Sequence, residues 1–285
     1  MRKRCKIGAR RPLVALALVC LLAGTATTPV ASWDGTGHRL IATKAIDVLP
    51  FPLRTYYDWN ERSIVRLMND TSQWGDHAAK REDLYINLDE YGAYPFAELP
   101  RDYNQAVRKF KRVSVTKNGT LPWAIGKYSV ELEEAFREQR WDDVKLFSAI
   151  LAHYVAEAHD PFNTTSERGG ERSGQAGVAE RYTQTLVNRF RMFLVIRPSG
   201  AYRINDATAQ AFGMVIEANT WVDNILLSDA QARAGKVEYG EEYYDDFYGA
   251  IGAILLRQLT SASTDISSYW YTAWYNAGKP TLPAR

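Results

Sequence analysis

His153 and Glu157 stand four residues apart in the stretch WDDVKLFSAILAHYVAEAHDPF, Trp141 to Phe162. On a helix this spacing places both side chains on one face, with Cβ atoms roughly 5–6 Å apart. An imidazole nitrogen and a carboxylate oxygen held in that way can converge on one cation. A lone pair of this kind is more often solvated or hydrogen-bonded, so the metal reading rests on further ligands. Upstream candidates are His38 in WDGTGHRL, and Asp76 and His77 in NDTSQWGDHA. His159 is the only other histidine. Six positions from His153, it points to a different helix face and suits a packed or hydrogen-bonded role. Asp160, at seven positions, returns to the face of His153, although Pro161 weakens helical geometry just there.

These side chains need elements to carry them. Val144, Phe147, Ile150, Leu151, Tyr154 and Val155 recur at helical spacing, which predicts a long helix pressed into a core and ended by Pro161. His38, Ile41, Ala45, Val48 and Leu49 form a second stripe between Gly37 and Pro50, placing His38 at the mouth of the first helix. A further helix is expected over Arg54 to Met68, followed by a turn-rich segment. Residues 83–92 alternate like a short extended piece, and the Pro- and Gly-spaced region to Pro122 reads mostly as loop. Helical periodicity resumes from Trp123 to Gln139. Asn163 to Gly177, NTTSERGGERSGQAG, lacks apolar anchors and is expected to be exposed or mobile. Helical patterns then cover Val178 to Val195, Asp206 to Leu227, and Glu241 to Trp274, the last with a possible break near Ser261 to Thr264. No strand-turn-strand pattern and no repeat appears, so the expected fold is all-α, one domain over residues 33–285.

The chain has 285 residues, 46% hydrophobic and 24% charged, ordinary for a soluble globular protein with a sizeable core. Residues 1–32 read as a secretory signal peptide: a basic opening (MRKRCKIGARRP), a short apolar run from Leu13 to Gly24, and small residues ending at Ser32. That run is well short of the roughly 20 residues that a spanning helix needs. No later stretch is long and apolar enough either, and the surroundings of Cys20 do not suit lipidation. Cleavage would remove both cysteines and six of the 35 basic residues, leaving 29 against 33 acids, a formal net charge of −4. The expectation is a secreted or periplasmic protein without disulfides, lacking the basic footprint of a duplex-DNA binder.

Several stretches together resemble one superfamily, the bacterial zinc-dependent phospholipases C and the fungal single-strand-specific nucleases. Trp33 directly follows the expected cleavage site, and His38 lies five residues on. WGDH is similar to the family's Trp-small-Asp motif, HYVAEAHDP to its His-Tyr-x-x-Asp helix, and YTAWYNAGKP, Tyr271 to Pro280, to the close of bacterial members. The resemblance spans essentially the whole chain after residue 32. It implies an all-helical secreted fold in which the Trp33 amino group and carbonyl, His38 and Glu157 hold one zinc. Asp76, His153 and the shared Glu157, in place of a bridging Asp, would hold a second. Asp76 would also be the candidate base.

The departures cost ligands. Leu84 and Asn163 stand where the family has histidines, and Ala179 and Thr183 stand where it has a His and an acid, so one whole zinc site is missing. In the resembling enzymes the metals clamp phosphate oxygens and activate a water. Losing one removes much of the transition-state stabilisation. The expectation is a phosphoric-diester hydrolase-like protein with a reduced zinc set, acting on phospholipid head groups or on nucleotides and single-stranded nucleic acid. The alternative is a catalytically inactive member that binds through the same pocket, its metal structural. An unrelated helical envelope protein is the third reading.

Overall fold

The computed structural model describes residues 33–283, and the segment read as a signal peptide lies outside them. The described residues contain helices and turns but no strand, and the helices form one all-α domain.

The first pair, α1 (Gly35–Asp47) and α2 (Leu53–Asn69), packs together, joined by a short Pro-containing turn. The Asp34 carboxylate starts α1 by accepting from the backbone N–H groups of Thr36 and Gly37, both at 2.9 Å. Two further helices, α3 (Tyr103–Phe110) and α4 (Arg112–Asn118), occupy the region expected to be loop. They are short: α3 sets Tyr103, Ala106, Val107 and Phe110 against the core over only eight residues, and α4 buries Val115 alone, so neither offers a sustained apolar repeat. Asp102 caps α3 through Gln105 N at 2.8 Å. Residues 83–92 form two 3₁₀ turns around an extended Tyr85–Asn87 instead of a strand. Ile86 N–H finds Asn163 O at 2.8 Å and Asn87 N–H finds Asn118 O at 2.7 Å, so loops take the place of a sheet partner.

At the centre lie α5 (Leu121–Arg137) and α6 (Trp141–Ala158). Pro122 sits in the first turn of α5, where its missing N–H costs nothing. Asp142 and Asp143 favour the start of α6 through the helix dipole. Every residue of α6 from Phe147 to Ala158 is buried. The helix is enclosed on all sides, by α1, α2 and α5 and by α9 (Ala207–Asn219) and α11 (Glu241–Asn276). It is therefore a core helix, not the one-sided helix that a single apolar stripe describes.

Beyond α6, α7 (Val178–Glu180) runs through a π-helical segment, Arg181–Thr185, into α8 (Leu186–Phe190). This stops short of the expected Val195. Thr220 and Trp221 divide the expected 206–227 helix into α9 and α10 (Val222–Arg233). In contrast, α11 runs unbroken for 36 residues through Ser261–Thr264, and the hydroxyls of Ser263 and Thr264 bond back to the carbonyls of Leu259 and Thr260. The Gly/Ser-rich loop is pinned, against expectation. Asn163, Thr164 and Thr165 are buried, the Arg168 guanidinium lies 3.5 Å above the Tyr85 ring, and Gln175 Nε2 donates to Leu226 O at 2.7 Å and Asp229 Oδ2 at 2.8 Å. Its anchors are polar, which is why the apolar pattern missed them; its longest run of exposed positions is residues 171–174.

Candidate metal centre

Three elements meet around Glu157. The first turn of α1 brings His38. The last turns of α6 bring His153 and Glu157, and the end of α2 brings the Met68 carbonyl. His38, His153 and Glu157 are all buried, and one ligand atom from each lies within 4.8 Å of the others. His38 Nε2 is 3.1 Å from Glu157 Oε1, His153 Nε2 is 3.9 Å from that same oxygen, and the two imidazole rings lie 4.8 Å apart.

The protonation of His153 follows from its surroundings. Its Nδ1 lies 3.0 Å from Met68 O, and a carbonyl can only accept, so Nδ1 carries the hydrogen. Burial, and then the neighbouring His38, push its pKa down to about 4 against the opposing pull of Glu157 and the Met68 carbonyl. A neutral ring protonated on Nδ1 has its lone pair on Nε2. That nitrogen and a carboxylate oxygen 3.9 Å away are two acceptors, which a cation can bridge. A backbone carbonyl holding the outer nitrogen of a ligand histidine is the usual support of a metal site.

The other carboxylate oxygen is taken. Asn163 Nδ2 donates to Glu157 Oε2 at 2.5 Å. Around it, Asn163 Oδ1, Asp160 Oδ2 and the Tyr182 hydroxyl are buried without a partner. Asp160 Oδ1 accepts from Phe162 N at 3.0 Å, and burial, then the charge of Glu157, push its carboxyl well above the usual range. Two imidazole nitrogens, one carboxylate oxygen and adjacent unsatisfied polar atoms make a donor set that could hold a metal ion.

No protein-family model matches this chain, and no curated protein does. The site is therefore read from its own geometry.

The other residues singled out by sequence fall as follows. Trp33 is buried beside the cluster: its indole Nε1 donates to Ala156 O at 2.9 Å, one residue before Glu157, and its ring lies 5.9 Å from Tyr182. A Cβ on Gly37 would sit 3.1 Å from the Trp33 Cβ, so glycine is what lets residue 33 lie against the first turn of α1. Asp76 is exposed on the 3₁₀ segment Thr71–His77 and is not among the grouped ligands. His77 packs edge-on against Phe147, ring centroids 4.9 Å apart. His159 takes the hydrogen-bonded role expected of it, with Nε2 2.9 Å from Asp265 Oδ2 and Nδ1 3.4 Å from Gln258 Oε1.

Leu84, Ala179 and Thr183, where the resemblance would put ligands, offer no cation ligand here. Leu84 packs against the core, Ala179 is buried, and the Thr183 hydroxyl donates to the Ala179 carbonyl at 2.8 Å. Sequence reasoning did not foresee Asn163 or the Met68 carbonyl as partners of the cluster. One lies beyond the end of α6 and the other is a main-chain group, so neither carries a periodic or compositional signal.

Proposed function

We propose that this is a secreted metalloprotein of the phosphoric-diester-hydrolase type, similar in plan to the zinc-dependent phospholipases C and single-strand-specific nucleases, that retains one cation. The observation that carries the reading is the His153 lone pair facing Glu157 Oε1 at 3.9 Å with His38 beside it. Imidazole and carboxylate ligands suit zinc. Three protein ligands leave a position for the Trp33 amino group of a processed chain, which with an unperturbed pKa near 7.7–8.0 can lose its proton to a metal near neutral pH.

A bound zinc would supply Lewis-acid polarisation of a phosphate oxygen and a water of lowered pKa. The chain's own residues divide the remaining work. His38 and His153 donate nitrogen, Met68 fixes the His153 tautomer, and Asn163 holds Glu157 by its second oxygen. Because Asn163 engages Oε2, Glu157 presents Oε1 alone to the histidines, which favours a single cation over the bridged pair.

A second reading, a catalytically inactive member whose metal is structural, is favoured by the exposed Asp76, which leaves the cluster without the expected base. The test is zinc content by mass spectrometry of the processed protein, then turnover of bis(p-nitrophenyl) phosphate, phosphatidylcholine and single-stranded DNA. One zinc per chain with metal-dependent turnover supports the hydrolase. One zinc without turnover supports the structural reading, and no zinc removes both.

A further inference from the structure

The segment Arg189–Arg197, RFRMFLVIR, is not used by the metal centre and contains three arginines and no acid. Past α8 it presents Met192, Phe193 and Val195 to solvent, at 82%, 69% and 56% exposure. These side chains are not exposed because the segment hangs free. Leu194 and Ile196, alternating with them, are buried, and Phe193 N bonds to Phe190 O at 2.8 Å. The Phe190 ring in turn stacks on Tyr248 with centroids 3.9 Å apart. The chain thus holds a firm apolar tip outward, at a cost that a monomer in water has no reason to bear.

Positive charge borders the tip. Arg191 also lines an open groove of about 1200 Å³ between α1 and α2, together with Arg39, Arg62 and Arg66. None of these four guanidinium groups, nor that of Arg197, is in an ion pair within the described structure. The groove also carries four acids, Asp34, Asp58, Glu61 and Asp70, with Asp58 facing Arg54 and the charge of Arg66 acting on Asp70. The groove itself is thus close to balanced, and the positive charge beside the tip is that of Arg191 and Arg197, in a segment that holds no acid.

We propose that Met192, Phe193 and Val195, with Arg191 and Arg197 beside them, dock the protein on the surface of an anionic lipid bilayer. Apolar side chains enter the boundary between headgroups and acyl chains while the arginines reach lipid phosphates. Self-association through the same loop fits less well, since a two-fold contact would bring Arg191 and Arg197 against their own copies. The inference does not rest on the metal centre.

The test is co-sedimentation with vesicles of phosphatidylglycerol and phosphatidylcholine, and with phosphatidylcholine alone, using the processed chain from Trp33 so that the basic, apolar residues 1–32 do not themselves bind the vesicles. The protein should bind the anionic vesicles more tightly than the neutral ones. Met192→Glu with Phe193→Glu should weaken that binding at least about tenfold, the scale of losing two buried apolar side chains. Arg191→Gln and Arg197→Gln should each weaken it about fivefold at low salt. Val237→Glu, at a residue 94% exposed elsewhere, should leave it unchanged. Circular dichroism and thermal melts confirm that each variant is folded. Equal vesicle binding by the wild type and the Met192/Phe193 variant would overturn the proposal. So would a dimer in sedimentation velocity that this variant dissociates while the wild type ignores vesicles.

Discussion

Asn163 Nδ2 donates to Glu157 Oε2 at 2.5 Å, across the end of α6, while Oε1 of the same carboxylate faces His38 and His153. One oxygen is thereby reserved for a neutral amide and the other for the imidazoles. Asn163→Leu keeps the volume and removes the donor, leaving a buried carboxylate oxygen unsatisfied. The expected cost is about 1–3 kcal/mol, read as a drop of a few degrees in melting temperature. A melting temperature equal to wild type would show that the amide does not hold Glu157.

Zinc binding should separate the cluster from the sequence motif. His38→Ala and His153→Ala should each abolish stoichiometric binding, because each removes one of three protein ligands, whereas Asp76→Ala should bind as the wild type does. Competition with a chromophoric chelator measures all three. Loss of zinc from the Asp76 variant would mean that the exposed 3₁₀ segment closes onto the cluster.

The Trp33 amino group is free only when the chain begins there, and its indole is already seated on the Ala156 carbonyl. A chain starting at Trp33 should therefore bind zinc more tightly than one carrying a single extra Gly before it. Equal affinities would remove the N-terminus from the ligand set.

In the metal-free protein His153 is neutral in the fold, its pKa of about 4 lying below the ordinary 6.5. The unfolded chain binds the extra proton between those values, so the contribution is fully present above pH 6.5 and is lost as the pH falls towards 4. The full difference corresponds to about 3 kcal/mol. Denaturant unfolding of the metal-free protein at about pH 7 and about pH 4.5 checks this, with His153→Gln expected to show a flatter profile. An identical profile for that variant would assign the acid sensitivity to other groups.

Arg181 and Asp229 form a buried pair at 2.9 Å, shared with the Tyr243 hydroxyl and with Gln175 of the Gly/Ser-rich loop. Asp229→Ala strands a buried guanidinium and should cost about 3–5 kcal/mol. Limited proteolysis at the exposed residues 171–174 should also speed up as Gln175 loses its anchor. Unchanged proteolysis would show that Ser166 N–H donating to Asp89 Oδ1 at 2.9 Å and Arg168 stacked on Tyr85 hold the loop unaided.

What could be read from residue order was what local periodicity encodes. The stripe from Val144 to Val155 announced α6, the spacing of His153 and Glu157 announced a shared face, and the six-residue offset of His159 announced its separate hydrogen-bonded role. The all-α class followed from these repeats and from the lack of strand alternation. Tertiary structure decided the rest, because it depends on contacts between residues far apart in the chain. His38 reaches Glu157 across 119 positions, the Met68 carbonyl sets the His153 tautomer across 85, and Asp229 anchors Gln175 across 54. The two short helices between Tyr103 and Asn118 escaped notice because of their length: the apolar face of α3 (Tyr103, Ala106, Val107, Phe110) lasts only two turns, and α4 buries Val115 without a side-chain cap. Asn163 shows the limit most plainly. In sequence it is one more polar residue opening a Gly/Ser-rich loop, and only the turn after α6 brings its amide back onto the carboxylate.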